Sequence, residues 1–168
     1  LFINSIGCPN CRPKFQQALK DYFGAHYDEL CPTCQERLER NPLRILDCKE
    51  ERCHELAEHA PIVLDYLCDE CRDHFEELKK RLEAMGIAYE VDPTIVRGLD
   101  YYTKTVFEFK TETIGAQGTV CGGGRYDGLI ELMGGQSQPA VGFGMGLERI
   151  KLVMEACGAP LPEEPRCD

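Results

Sequence analysis

Paired cysteines constrain this chain more than any other feature of its sequence. Three pairs have the spacing C-x2-C, one has the spacing C-x4-C, and all of them lie at or before residue 71: Cys8, Cys11, Cys31, Cys34, Cys48, Cys53, Cys68 and Cys71. This spacing is typical of zinc knuckles, in which thiolates hold the ion tetrahedrally. Disulfide bonds and reduced, packed thiols are the alternatives. The pattern predicts one or two zinc ions, each bound by four thiolates.

The spacing leaves open which pairs share an ion. Chain order suggests that the first pair meets the second. A helix from Pro13 to about Phe23 would carry the chain about 15 Å away, at 1.5 Å per residue, and residues 24–30 would bring it back only if extended. Otherwise the second pair meets the third or the fourth. His54, beside Cys53, is a further possible ligand, although we expect the four histidines to be solvated or packed.

Length and charge exclude several classes of protein. A chain of 168 residues predicts one domain, or one domain with an insertion. The net charge is −10, from 19 basic and 29 acidic residues. A general nucleic-acid binder would be basic, so any RNA contact must be local. No apolar run reaches the length of a membrane span. The strand-like residues at 1–3 and the proline-rich tail at 159–168 lead us to expect a piece of a longer chain.

Hydrophobic periodicity divides the chain into a helical half and a half rich in strands. The clearest helix is predicted from Asp69 to Met85, with Phe75, Leu78 and Leu82 on the same apolar face as Met85. After Gly86 the period changes to alternation, as in residues 105–110. Helices followed by strands predict an α+β fold with a mainly antiparallel sheet.

Three segments in the second half place an arginine beside glycines, at 97–102, 122–128 and 142–149. Arginine can bind a carboxylate or a phosphate through two parallel hydrogen bonds, and glycine lets a ligand approach the backbone. Neighbouring tyrosines could supply aromatic walls. The alternative is that the glycines serve turns and the arginines serve surface ion pairs. Neither glycine cluster has the P-loop or dinucleotide-binding spacing.

Together these segments resemble the motifs of one enzyme family. Residues 95–108 (IVRGLDYYTKTVFE) and 123–129 (GGRYDGL) resemble the two histidine-specific signatures of histidyl-tRNA synthetases, and 139–149 (PAVGFGMGLER) resembles motif 3 of class II synthetases. Residues 3–7 and 41–47 are similar to the family as well. In that family, motifs 1 and 2 would precede Leu1 and the anticodon-binding domain would follow the tail.

The resemblance implies a fold and a division of the chain. We expect part of the antiparallel-sheet catalytic domain of a class II synthetase, carrying a helical, cysteine-rich insertion. Residues 1–7 would be a strand of the catalytic core, 8–86 the insertion, 87–158 the C-terminal half of the core and 159–168 a linker.

The resemblance also implies an activity and the residues that perform it. The family joins histidine to ATP, giving histidyl-adenylate, and then transfers the histidyl group to tRNA(His). Arg97 would be the catalytic residue, placing positive charge beside the phosphate oxygens of the transition state. It would line the histidine pocket with Tyr101, Tyr102 and Tyr126. Arg149 and Gly146 would bind ATP, which the family uses with Mg²⁺.

Partners and rival functions follow from the same resemblance. The insertion would lie against the tRNA acceptor arm through Arg37, Arg40 and Arg44, and the intact enzyme would be a cytoplasmic homodimer without membrane contact. An intracellular enzyme favours zinc over disulfides.

The main alternative function is that of a catalytically silent paralogue, the regulatory subunit of ATP phosphoribosyltransferase, but such a paralogue has no need of Arg97 with its two tyrosines. A free-standing zinc module that binds RNA is a third possibility.

Overall fold

The computed structural model describes residues 1–96, 101–115 and 118–160. The strands within these ranges are β1 (Phe2–Ser5), β2 (Glu90–Val91), β3 (Thr103–Lys110), β4 (Thr119–Tyr126) and β5 (Ala140–Met145). The α-helices are α1 (Arg12–Ala25), α2 (Pro32–Arg40), α3 (Glu51–Glu58), α4 (Asp69–Ala84), α5 (Leu129–Leu132) and α6 (Leu147–Ala156). None of these helices is long and apolar enough to cross a membrane.

The strands form one sheet in the order β2-β1-β3-β4-β5. The β1–β2 pair is parallel, and the other three pairs are antiparallel. Side chains alternate between the two faces of a strand, so Val106 enters the core while Thr105 and Phe107 lie on the opposite face. The predicted α+β fold with a mainly antiparallel sheet is confirmed.

Helices α1 to α4, with three short 3-10 turns at Tyr27–Glu29, Pro42–Ile45 and Val63–Tyr66, form the helical half. Its core is built on the apolar face of α1, where Phe15, Leu19 and Phe23 are buried. Cysteines fill much of the remaining core, and six of the eight paired cysteines are buried with the other two half-buried. The thiols therefore face one another inside this half, away from solvent.

Helix α4 joins the two halves and has a narrower apolar face than its sequence predicts. Phe75 is buried, whereas Met85 is 71% exposed and lies just beyond the helix. Gly86 follows at a φ of +67°, a left-handed conformation that ends the helix as expected. The periodic pattern gave the length of the helix correctly but overstated how much of it is covered.

Candidate metal centres and aromatic pocket

The first candidate site is a group of four cysteines, which we call the first cluster: Cys8, Cys11, Cys68 and Cys71. Their sulfur atoms all lie within 4.8 Å of one another. The Sγ–Sγ distance is 3.8 Å from Cys8 to Cys11, and 3.8 Å from Cys8 to Cys68. The two knuckles come from the loop before α1 and from the start of α4, about sixty residues apart along the chain.

The second cluster consists of Cys31, Cys34, Cys48 and Cys53, whose sulfur atoms also lie within 4.8 Å of one another. The Sγ–Sγ distance from Cys31 to Cys48 is 3.9 Å, and the Cys31 amide donates to Cys53 Sγ at 3.2 Å. Four thiols complete this group without a histidine. His54 points to solvent instead, with its Nε2 3.9 Å from Glu58.

Both clusters have the dimensions of a tetrahedral thiolate site. Four sulfurs placed about 2.3 Å from a central zinc ion form a tetrahedron with edges of about 3.8 Å. The observed separations of 3.8 and 3.9 Å match that edge. They are nearly twice the S–S bond length of about 2.05 Å, so these cysteines are not disulfide-bonded. The residues therefore fit a tetrahedral metal ion in each cluster.

Local structure lowers the pKa of one thiol in each cluster. Burial opposes ionisation of Cys31 at the N-terminal end of α2, but the Cys34 amide and the neighbouring thiols outweigh it and lower its pKa. Burial opposes ionisation of Cys8, but nearby backbone amides and thiols outweigh it and lower its pKa to about 7. Burial raises the pKa of Cys71, the deepest thiol of the same cluster. One thiol is thus ready to ionise first, as ion binding requires.

The structure settles which pairs meet. Counted along the chain, the first pair joins the fourth, and the second joins the third, which is the C-x4-C pair. The arrangement suggested by chain order does not occur. Helix α1 has 14 residues and carries the chain about 21 Å away from Cys11 before the second pair begins.

The third candidate site is a cluster of three tyrosine rings beside β4. The ring centroids of Tyr101 and Tyr102 are 4.7 Å apart, and the Tyr126 ring stands edge-on to both, at 5.6 and 6.2 Å. Tyr102 is buried, while Tyr101 and Tyr126 are half-buried. Two segments that are separate in the sequence thus contribute aromatic rings to one group, which we call the tyrosine pocket after the role that the resemblance implies.

Two glycines of the sheet make room for these rings rather than for a ligand. A Cβ on Gly124 would lie 2.9 Å from Tyr102 Cδ1, and a Cβ on Gly142 would lie 2.6 Å from the Tyr126 hydroxyl. Gly144, two residues further along β5, faces open space. Gly123 is also closed to a ligand, because a Cβ there would lie 2.7 Å from Phe143 Cβ. Of these four glycines of the sheet, Gly144 alone has free space beside it.

The two residues expected to bind ATP are close together at the start of α6. A Cβ on Gly146 would lie 3.3 Å from Arg149 Cδ, so glycine leaves room for the arginine side chain. The Arg149 guanidinium donates to the carbonyl oxygen of Thr119 and so lies against β4. This contact with the backbone holds the Arg149 side chain beside the first residue of β4.

Arg125 makes different contacts from those of Arg149. It precedes Tyr126 on β4, so its side chain leaves the opposite face of the sheet. Its Nε donates to Asp127 at 2.7 Å, and its Nη1 lies 3.3 Å from His74 Nε2 on α4. For this residue the ion-pair interpretation is the correct one.

Arg97, the predicted catalytic residue, lies outside the described residues, as do Gly98, Leu99 and Asp100. The residues that directly precede Arg97 in the chain are described up to Val96. Asn4 of β1 is fully buried, and its side-chain amide donates to the carbonyl oxygens of Pro93 at 3.1 Å and Ile95 at 3.0 Å. Sequence reasoning gave Asn4 no role, although a polar residue in an apolar strand was a signal.

Comparison with known proteins places these features in a family. The family model described as Histidyl-tRNA synthetase matches residues 24–150. The chain belongs to the histidyl-tRNA synthetase family. It is 61% identical over 163 residues to the Histidine--tRNA ligase of Caldanaerobacter subterraneus subsp. tengcongensis, covering 97% of this chain and 39% of that protein. It is 58% identical to the Histidine--tRNA ligase of Acetivibrio thermocellus, covering 100% of this chain and 40% of that protein.

A solved family structure agrees with the fold. The crystal structure of apo S. aureus histidyl-tRNA synthetase superposes with a TM-score of 0.69 at 37% identity, over 95% of this chain and 39% of that one. The sheet is therefore the class II synthetase sheet expected from the motifs. The chain spans about two fifths of the length of the curated relatives that it matches.

Proposed function

We propose that this chain is part of a histidine–tRNA ligase, acting on histidine, ATP and tRNA(His). The observation that carries the proposal is the identity of 58–61% over essentially the whole chain to family members named for that activity. This identity also favours the ligase over the regulatory subunit of ATP phosphoribosyltransferase. The division into core strand, insertion, core and linker at residues 7, 86 and 158 is part of the same proposal.

In the first step a carboxylate oxygen of histidine attacks the α-phosphorus of ATP. A P–O bond forms to the carboxylate, the bond to the β-phosphate breaks, and pyrophosphate leaves. Arg97 is the proposed catalytic residue because a fixed cation stabilises the charge that gathers on the phosphate oxygens. In the second step a ribose hydroxyl of the tRNA attacks the histidyl carbonyl and displaces AMP.

The three tyrosines are proposed to hold the histidine side chain together with Arg97. Their hydroxyls and ring faces suit an imidazole, and a pocket of polar groups rejects amino acids that leave those groups unpaired. Arg149 and Gly146 are proposed to bind ATP with Mg²⁺, and the open surface at Gly144 leaves space beside them.

Zinc is the proposed occupant of both cysteine clusters. Four thiolates in a tetrahedral arrangement are the ligand set of structural zinc sites, which leave no position open for catalysis. The ion would replace apolar packing as the main source of stability in the short helices α2 and α3. The clusters are therefore proposed to be structural, with ATP and histidine bound elsewhere.

The partners are proposed from the family. The helical half would contact the acceptor arm of tRNA(His) through Arg37, Arg40 and Arg44, of which the last two are exposed. The complete enzyme would be a homodimer in the cytoplasm.

A chimera tests the activity. In this chimera the chain replaces the matching segment of the Caldanaerobacter relative, whose other segments supply the remaining length. We expect histidine-dependent exchange of pyrophosphate into ATP and charging of tRNA(His). The unmodified relative is the positive control. A folded chimera that exchanges pyrophosphate without requiring histidine, or not at all, would contradict the proposal.

Metal content is tested separately, on the same protein purified under reducing conditions. We expect two zinc ions per chain and eight thiols protected from reagent until the ions are chelated. Eight freely reactive thiols with no bound zinc would reduce the clusters to packing residues.

A further inference from the structure

The first cluster is linked to the tyrosine pocket by three sets of contacts. The first is Arg12, which directly follows Cys11. Its Nη2 donates to the carbonyl oxygen of Tyr102 at 2.7 Å, and its Nε donates to the carbonyl oxygen of Ile6 at 3.3 Å. The arginine therefore spans the cysteine knuckle and the pocket residue.

The second set consists of backbone hydrogen bonds around Gly7, which directly precedes Cys8. The Lys104 amide donates to the Gly7 carbonyl at 2.8 Å, and the Ile6 amide donates to the Lys104 carbonyl at 2.7 Å. The third is an ion pair, from Lys104 Nζ to Glu70 at 2.7 Å. Glu70 lies between Cys68 and Cys71, so this ion pair starts within a cluster knuckle, as the Arg12 bonds start beside Cys11 and the Gly7 bond starts beside Cys8.

Lys104, which takes part in the second and third sets of contacts, has an unusual backbone conformation. Lys104 has a φ of +53°, the one positive value among the non-glycine residues that the structure describes. The pairing of β3 with β4 is irregular in the same place, between Thr103 and Val106. A side-chain-bearing residue keeps a left-handed conformation only where its surroundings impose it. Gly7 and Glu70 contact Lys104 directly, and Arg12 holds the carbonyl of Tyr102 two residues before it, so these contacts are those surroundings.

We propose that Arg12 is a positioning residue for the tyrosine pocket, and that zinc bound at the first cluster holds Arg12 and Gly7 against the irregular segment 102–104. The proposal gives the second cluster no role in positioning the tyrosine pocket. The hydrogen bonds of its cysteines that are described above join residues of Cys31–Cys53 to one another and do not reach segment 102–104. The inference rests on the proposed function for its catalytic consequence.

The chain offers a matched control for Arg12. Arg72 follows Cys71 as Arg12 follows Cys11, and its Nη2 also donates to a backbone carbonyl, that of Leu67 at 3.2 Å. That carbonyl belongs to the cluster's own loop and not to the pocket. Replacing either arginine by methionine removes a comparable bond beside the same cluster.

The first experiment measures pyrophosphate exchange by the chimera with its Arg12 and Arg72 variants. We expect Arg12→Met to raise the KM for histidine about tenfold, the size expected for a lost hydrogen bond to a charged group. The KM for ATP should stay within twofold. Arg12→Lys, which keeps one donor, should recover part of the loss, and Arg72→Met should leave both constants within twofold. A purely structural role would lower kcat and melting temperature together without changing the KM for histidine, and that result would overturn the proposal.

The second experiment does not depend on activity. Hydrogen–deuterium exchange of residues 102–110 is compared in zinc-loaded chimera, in chimera stripped of zinc, and in the variants Cys71→Ser and Cys53→Ser. We expect faster exchange at the Lys104 amide after stripping and in Cys71→Ser, and no change in Cys53→Ser. Equal exchange in all four would overturn the role of the first cluster. If the parent chimera shows no histidine-dependent exchange of pyrophosphate, the proposed function fails, whereas the amide measurements still decide this inference.

Discussion

Replacing Gly7 by alanine tests how tightly the first cluster is built. Gly7 has a φ of +68°, and a Cβ placed on it would lie 2.7 Å from Cys11 Sγ. Gly86 provides the matched control, because its φ is +67° and a Cβ there would meet nothing within 4 Å. The two alanine variants share the backbone strain and differ in the contact with sulfur.

The expected free energies follow from these geometries. A left-handed conformation costs a side-chain-bearing residue about 1–2 kcal/mol, and the stiffer unfolded chain returns about 0.4–1 kcal/mol. Gly86→Ala should therefore lower the free energy of unfolding by about 1 kcal/mol. Gly7→Ala carries the same loss and a steric overlap that typically costs about 1–3 kcal/mol. The sulfur cannot withdraw from the new methyl group without leaving the position in which it would bind a zinc ion.

Urea unfolding of the chimera at a fixed concentration of free zinc measures both variants. Zinc content is determined on the same samples. We expect Gly7→Ala to be less stable than Gly86→Ala by about 1–3 kcal/mol, with weakened zinc binding in the former alone. Equal losses of stability with two ions retained in both variants would refute the close contact between Gly7 and the first cluster.

Three further predictions concern activity and pH. Arg97→Ala in the chimera should slow histidyl-adenylate formation about 10²–10³-fold, far more than it weakens histidine binding. Adenylate formation at the parental rate in pre-steady-state kinetics would contradict the catalytic role of Arg97. The isolated 168-residue chain should show no histidine-dependent pyrophosphate exchange, because these residues do not include the family's motifs 1 and 2, and binding groups on one side cannot hold both substrates in line. Exchange above background would refute this. Burial and the neighbouring Arg125 and Lys104 lower the pKa of His74. The unfolded chain therefore takes up this proton first as the pH falls, and the free energy of unfolding should decrease below about pH 6.5. His74→Gln should flatten that dependence, and an unchanged pH profile would exclude the contribution of His74.

The fold was largely accessible from the sequence because its elements are local. Alternating side chains predicted β3, and the observed strand extends the predicted one by two residues to Thr103. The periodic apolar face predicted α4 to within one residue of Ala84. Periodicity could not predict how much of each helix face is buried, because the exposure of a side chain depends on neighbours that are distant in the chain. Met85 shows this, with an apolar side chain on the predicted face that meets solvent.

The sequence predicted which residues belong to the candidate site, but it did not predict what each of them contacts. The signature segments identified the three tyrosines, and the structure brings their rings together. In the sequence Arg125 and Arg149 both stand beside glycines, yet strand alternation sends Arg125 to the face opposite Tyr126, where it contacts His74. The sequence analysis also gave no role to Arg12 or Asn4, because the carbonyl groups that accept their hydrogen bonds are distant in the chain.

The sequence by itself determined that cysteine knuckles form, since C-x2-C places two sulfurs on one turn of backbone whatever the rest of the chain does. Tertiary structure alone decided that Cys8 and Cys11 meet Cys68 and Cys71 and not the next pair along the chain. The physical reason is twofold. The rigid length of α1 separates pairs that are neighbours in sequence, whereas β1 and α4 both pack against β3 and so bring together cysteines sixty positions apart. Long-range pairing is set by how the elements pack, and only the folded chain holds that information.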